Sequence, residues 1–365
     1  MQVMDSASPV GQGRGAGAGK GRSLEIAFMG LLALAILLTF WSQQRYPALL
    51  KKLHAGSGVQ VKGAISFDAL LKVTPQMPVP ERIAKTSVNW LWTNRFGMYF
   101  AVPFGAAMMT LMGLSVRPKR FSSAAGNVLC GAVAGAPMGV CSNCATPVGQ
   151  SLLVGGASAR LTVAAMISSP SFNPVVVAMA FVLFPLPLAM LRVVAPLLLL
   201  VLLPVLVPEN AAKPLGISMP EAVEPVGQRL LRVITEFLKN LLKLTWLTLP
   251  WMLLAAVIGA TAAELIPAYG THIAVSLIGV VAVALFGTLL PVPMAFDVAL
   301  AFVLYHAGVP VPYVAAFLCT LGPVSVYSLS ALGKQLGKAS ALRLAGATLL
   351  IGIVAGLVAM RGRIG

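Results

Sequence analysis

Long apolar runs separated by short polar or Gly/Pro-rich connectors make up most of the chain, and none of the long runs alternates with the period of two that marks a strand. The run 24–41 follows Lys20 and Arg22 and is about as long as a helix that crosses a bilayer. No clear cleavage site comes after it, so it reads as an anchored first helix and not a removable signal. A second run, 96–116, ends at the basic cluster Arg117-Pro118-Lys119-Arg120. The segment 122–207 is apolar but interrupted by Gly131, Gly135, Pro137, Gly139, Pro147, Gly155, Gly156, Pro170, Pro174, Pro185 and Pro187. Discontinuous or re-entrant helices fit that pattern best. Further apolar stretches lie at 244–266, 272–290, 296–305, 311–332 and 342–360. The pattern predicts an all-α polytopic membrane protein with about eight to ten transmembrane or re-entrant helices in two weakly related halves.

The polar stretches set the boundaries. Residues 1–22 are rich in Gly and Ala and are expected to form a disordered tail. The first membrane half covers 23–207 and includes a polar insertion at 42–94, broken at Pro75, Pro78 and Pro80, that is expected to hold one or two amphipathic turns outside the bilayer. A polar connector, 208–228, leads to the second half, 229–365. There Arg229, Arg232, Glu236, Lys239 and Lys243 recur at steps of three and four, which marks either a helix at the interface or a solvated helix face.

Composition agrees with the membrane reading: 58% of the 365 residues are hydrophobic, 10% are charged, and mean hydropathy is +0.90. A soluble domain carries about 25% charged residues. The net charge of +16 sits largely in short connectors (Lys334, Lys338, Arg343, Arg361 and Arg363 among its carriers), where basic residues orient helices against the cytoplasmic leaflet. This places the N-terminus on the cytoplasmic side, although the basic insertion would then face outward against the same rule. No aromatic-interleaved basic face is present, which excludes a nucleic-acid partner. The expected partners are the lipid bilayer and a small solute or ion. Oligomeric state cannot be read from the sequence.

A shift of 153 positions places Gly155 on Gly308, Pro170 on Pro323 and Cys144 on Asp297, while a slip of one or two residues aligns Val163-Ala164-Ala165 with Val314-Ala315-Ala316 instead. An internal repeat of this kind is common in transporters, whose binding sites lie at paired helix breaks.

Two such breaks are Cys141-Ser142-Asn143-Cys144 to Pro147, and Ser169-Pro170 to Asn173-Pro174. Cys141 and Cys144, at i and i+3, share a helix face and could offer two soft donors, pack as small hydrophobes, or act as a redox pair. Cys130 and Cys319 read as packing. Structural zinc needs four ligands, and His54, His272 and His306 are distant in sequence, so no metal site and no cofactor is expected. Each proline removes a backbone donor and leaves a carbonyl one turn earlier without its helical partner, so Ser169, Pro170, Asn173 and Pro174 offer groups for a polar solute, or else mark a satisfied kink. Gly322, Pro323 and Ser325 present the same choice in the second half. Asp297 is an intramembrane carboxylate and a candidate for proton coupling, with structural pairing or an interfacial position as the alternatives. His306 lies on the opposite face of a continuous helix. Glu264 is expected at an interface, and Arg160 and Arg192 are expected to snorkel.

The run from Cys141 to Pro147, then Gly155, then Ser169-Pro170 to Asn173, with Gly322-Pro323 in the second half, resembles the bacterial permeases of the ArsP type over residues 96–360. The resemblance implies an inner-membrane permease that is not an enzyme, and some relatives export trivalent organoarsenicals. Family members often carry a second-half Cys where this chain has Met294 and Asp297, and an Asn where it has Val326. The alternative function is a membrane thiol oxidoreductase using Cys141 and Cys144. Against it stands the absence of any basic residue within fifteen positions of Cys144 on either side.

Overall fold

The computed structural model describes residues 16–55, 70–114, 121–209, 225–269, 274–292 and 296–362. Among these every regular element is a helix, apart from one isolated bridge between Leu321 and Val324. Helix α1 (Ala16–Phe40) passes through a π-helical turn (Trp41–Arg45) into α2 (Tyr46–Ala55) without a break. Pro47 brings no N–H to the ladder, and the Tyr46 amide instead reaches Trp41 O across the π turn. The first part of the expected insertion is therefore a helical continuation of α1. Its other end belongs to α3 (Val79–Gly113), while 56–69 lie outside the described residues. So do the first fifteen residues of the expected tail, and α1 is already helical from Ala16.

Four short helices follow, α4 (Ala124–Gly135), which a 3-10 turn (Ala136–Met138) extends, α5 (Ser142–Val154), α6 (Ala159–Ser171) and α7 (Pro174–Leu183), and then the longer α8 (Leu186–Leu206). The second half opens with α9 (Val226–Tyr269), a single helix in which the amphipathic 229–243 and the apolar 244–266 are continuous. It is followed by α10 (Leu277–Leu289), α11 (Phe296–His306), α12 (Val311–Thr320), α13 (Val326–Leu336) and α14 (Lys338–Met360). Most of the connector 208–228 lies outside the described residues.

Five helical stretches are long and apolar enough to cross a membrane: Ser23–Leu50, Arg95–Gly113, Leu186–Leu206, Val226–Thr261 and Lys338–Met360. The pair α6 and α7 makes a sixth if counted as one span bent by 43°, and four shorter apolar helices complete a multi-pass membrane protein.

The two halves repeat in their packing. Helix α4 lies against α6 as α10 lies against α12, α6 against α8 as α12 against α14, and the long α3 and α9 pair with each other. Across the halves, α5 meets α13 as α7 meets α11. The C-terminal turns of α5 and α11 close with the same two bonds, Gly156 N to Leu153 O and Ala157 N to Leu152 O, against Gly308 N to Tyr305 O and Val309 N to Leu304 O. These turns match at a shift one position shorter than the one that joins Gly155 to Gly308. That register sets Ala145, not Cys144, against Asp297, and aligns Asn173 with Ser325, the N-cap residues of α7 and α13. At α4 the backbones touch: a Cβ on Gly131 would lie 2.1 Å from Leu161 O, and one on Gly135 would lie 2.4 Å from Ala165 O. Small residues four apart permit such close helix contact in a membrane protein.

Candidate functional site

The helix breaks meet. After the 3-10 turn the chain reverses at Gly139 in the left-handed region (φ +57°) and enters α5 through Cys141 as N-cap. The Ser169 hydroxyl accepts from Val140 N (3.1 Å) and donates to Val140 O (3.3 Å), and Asn173 Nδ2 donates to Gly139 O (3.0 Å). Asn173 Oδ1 accepts from Val175 N (3.0 Å) and so caps α7, with Pro174 at the first helical position where a missing N–H is harmless. The second break thus pins the loop that leads into the first.

The third break joins from the other half. Ser325 caps α13 in a reciprocal capping box with Ser328, and its hydroxyl also donates to Asn143 Oδ1 (2.9 Å). Asn143, Ser169, Asn173 and Ser325 are all fully buried. Pro170 lies in the last turn of α6, next to Ser169. Pro147 does not join this junction: it sits within α5, and its carbonyl faces α3 at Gly105.

Cys141 and Cys144 are free thiols, 3% and 1% exposed, with their Sγ atoms 3.1 Å apart. Cys144 N donates to Cys141 Sγ at 3.4 Å, and Cys144 Sγ lies 3.8 Å from Met98 Sδ on α3. Met98 also lines an apolar groove of about 510 Å³ between α3 and α9, with Leu91, Arg95, Tyr99, Leu249 and Met252. Three sulfurs therefore lead from this groove to the N-terminus of α5. Among the described residues no group of three or more His, Cys, Asp or Glu side chains could hold a metal.

Two buried arginines lie beside these breaks, Arg45 against Gly139 and Arg192 against Gly322; sequence reasoning passed over the first and read the second as a snorkelling residue. Arg45, 8% exposed, projects from the π turn over the Phe40 ring (4.3 Å to its centroid), lies alongside Gly139, and is close enough to both cysteine sulfurs to interact with them electrostatically. Trp41, on the same turn, donates to Pro137 O. The absence of a basic residue near Cys144 in sequence is thus reversed in space. A π turn marks functional positions often enough, but the extra residue is invisible in the hydrophobic pattern.

Arg192 does not snorkel. It is 1% exposed and pairs with Asp297 through Nη2 and Oδ2 at 2.5 Å. Asp297 is therefore an ion-paired residue, not an isolated carboxylate. Gly322 (φ +109°) packs against this pair, and a Cβ there would lie 2.9 Å from Asp297 Oδ2. Arg160 bonds the terminal carbonyls of α8, Val207 O (3.0 Å) and Pro204 O (3.2 Å). Glu264 pairs with Arg82 on α3. His306 packs against Phe302 with the rings tilted (4.0 Å between centroids) at the far end of an unbroken α11. Cys319 packs beside Ala195 and Ala355.

Residues 106–360 match the ArsP family, described as predicted permease. The chain is also 33% identical over 247 residues to the UPF0718 protein YraQ of Escherichia coli strain K12, across 64% of this chain and 67% of that protein. No solved structure matches it.

Proposed function

Because this chain belongs to the ArsP family of predicted permeases, a membrane transporter by family, we propose that it moves a small thiol-seeking solute, such as a trivalent organoarsenical, out across the bacterial inner membrane. In this reading the N-terminus is cytoplasmic and the solute is held where the helix breaks meet. The single observation that carries the reading is the sulfur geometry: Cys141 and Cys144 Sγ 3.1 Å apart, with Met98 Sδ 3.8 Å from Cys144. Soft donors at this spacing suit a soft acceptor such as As(III). Cys141, Asn143, Cys144, Ser169, Pro170, Asn173, Pro174, Gly322, Pro323 and Ser325 shape the site, and Pro147 supports α5 from outside it. Coupling to protons would run through Asp297, because a proton on its carboxylate removes the charge that holds Arg192.

The test uses an arsenical-sensitive host that lacks its own exporters, grown on a trivalent organoarsenical with and without this chain. Expression should raise tolerance, and Cys141→Ser with Cys144→Ser should remove the gain while leaving the chain in the membrane. Unchanged tolerance in the double variant would show that the sulfurs are packing. Proton coupling has its own readout: Asp297→Asn should flatten the pH dependence of transport in proteoliposomes, and an unaltered profile sinks the coupling role.

A second reading has an observation of its own. The same short sulfur separation beside Arg45 suits a dithiol–disulfide pair exchanging with a second dithiol. Reversible loss of maleimide labelling at both cysteines together would favour it.

A further inference from the structure

The charges and hydrogen-bond donors at the junction do not balance. Arg45 and Arg192 bring two guanidinium groups into the core, and guanidinium keeps its proton throughout the physiological range. Asp297 answers Arg192. Among the described residues no carboxylate pairs with Arg45, and the other buried acid, Glu25, lies about 30 Å away along α1. Donors are in similar excess: Arg45 Nε, Arg192 Nε and Nη1, and Asn143 Nδ2 are buried and have no hydrogen-bond partner among the described residues. A buried donor without an acceptor is costly, and more so when it is charged. The N-termini of α5, α7 and α13 converge on the same place, through the bonds from Asn173 to Gly139 and from Ser325 to Asn143, and each adds partial positive charge. Half-helix N-termini facing the anionic group of a substrate are a recurring transporter device.

From this we infer that the junction is an anion site: it takes a compact solute with a negative charge and several acceptor oxygens, with Arg45 as the residue that selects for charge. The inference rests on the permease reading and narrows its substrate class. A thiol-seeking solute satisfies both when its soft atom is carried on an anion, the soft atom meeting Cys141 and Cys144 and the oxygens meeting Arg45 and Asn143. Arg45 lies outside residues 106–360, so this part of the site is contributed by a region the family match does not cover.

The experiment is thermal unfolding of the purified full chain in detergent, titrated separately with sodium sulfate, phosphate and thiosulfate at constant ionic strength, using arsenite, uncharged at neutral pH, as the control. At least one oxyanion should stabilise the protein saturably. Arg45→Gln should weaken that binding at least tenfold, Arg45→Lys should weaken it less, and the Cys141→Ser, Cys144→Ser double variant should weaken thiosulfate binding more than sulfate or phosphate binding. Asn143→Ala removes a neutral donor and serves if Arg45→Gln does not fold, with a loss of about threefold to tenfold expected. The inference is overturned if no oxyanion stabilises the protein, or if neither Arg45→Gln nor Asn143→Ala weakens binding. It is equally overturned if binding appears only in the double cysteine variant, since the thiols then supply the negative charge themselves. Uptake of the bound anion into proteoliposomes separates the two levels. Binding without uptake leaves the anion site standing and removes the permease reading of this junction. Uptake of neutral solutes that ignores Arg45 does the reverse.

Discussion

Removing the Asp297 carboxylate leaves the Arg192 guanidinium buried with no counter-charge, and losing one partner of a buried pair costs about 3–5 kcal/mol. Asp297→Asn should therefore lower the midpoint of thermal unfolding well below that of the double variant Asp297→Asn with Arg192→Met, in which no charge is stranded. Equal losses would mean that the two residues act independently. Gly322→Ala probes the same pair from the backbone side. Its φ of +109° strains any side chain, at about 1–3 kcal/mol, and the new methyl would press on Asp297 Oδ2. We expect a destabilised protein whose transport falls even at temperatures where it stays folded. At this scale the sequence was partly legible. The polar and broken positions Cys141, Asn143, Ser169, Asn173 and Ser325 stand out because such residues are rare in apolar runs, and they do come together. Arg192 misled because a long side chain near a span's end usually reaches water, and nothing local reveals a carboxylate contributed from α11.

At the level of elements, the Gly- and Pro-rich interruptions were legible as breaks because each removes a donor or opens the left-handed region. What they did not reveal is which prolines fail to break anything. Pro250 lies within the uninterrupted α9, and Pro196 and Pro204 lie within α8. A proline's local cost of about 3 kcal/mol can be absorbed where neighbouring helices re-satisfy the freed carbonyl. The contact of α4 with α6 leaves no such latitude. Gly131→Val or Gly135→Val drives a side chain into backbone already 2.1 Å or 2.4 Å from its Cβ, so either should cost at least the 1–3 kcal/mol typical of overpacking. Folded yield measured by size-exclusion chromatography should drop for both, whereas Gly227→Val, which meets nothing within 4 Å, should leave it unchanged.

For the whole molecule, the repeat joins two sets of helices that meet at the junction, along the α3 and α9 pair, and where α8 packs against α12 and α14. Thr110 on α3 and Asn240 on α9 are hydrogen-bonded at 2.9 Å, which makes them a convenient clasp. In a chain carrying Thr110→Cys and Asn240→Cys, oxidation should halt transport and reductant should restore it, if the halves must move past each other during a cycle. Transport that persists through complete cross-linking, verified by mass spectrometry, would place the moving parts within one half. The repeat itself was visible in a few identities, and its register was off by one position. Helix boundaries and turn bonds fix a register; scattered glycines and prolines in apolar sequence do not.

The π turn at Trp41–Arg45 amounts to an insertion of one residue into what would otherwise be a regular α-helix. Each residue turns an α-helix by about 100°, so the extra one sets the phase between the stretch before it and the stretch after it. Deleting Ser42 alone removes no charge and no contact with Cys141, yet it should re-phase everything beyond. Arg45 would swing away from Gly139, and α2 would offer a different face to α7, against which it packs. Inserting one alanine near Ala55, after α2 has made that contact, leaves this phase untouched and is the matched control. A deletion that behaves like the control would mean that the timing of this helix is irrelevant to the site.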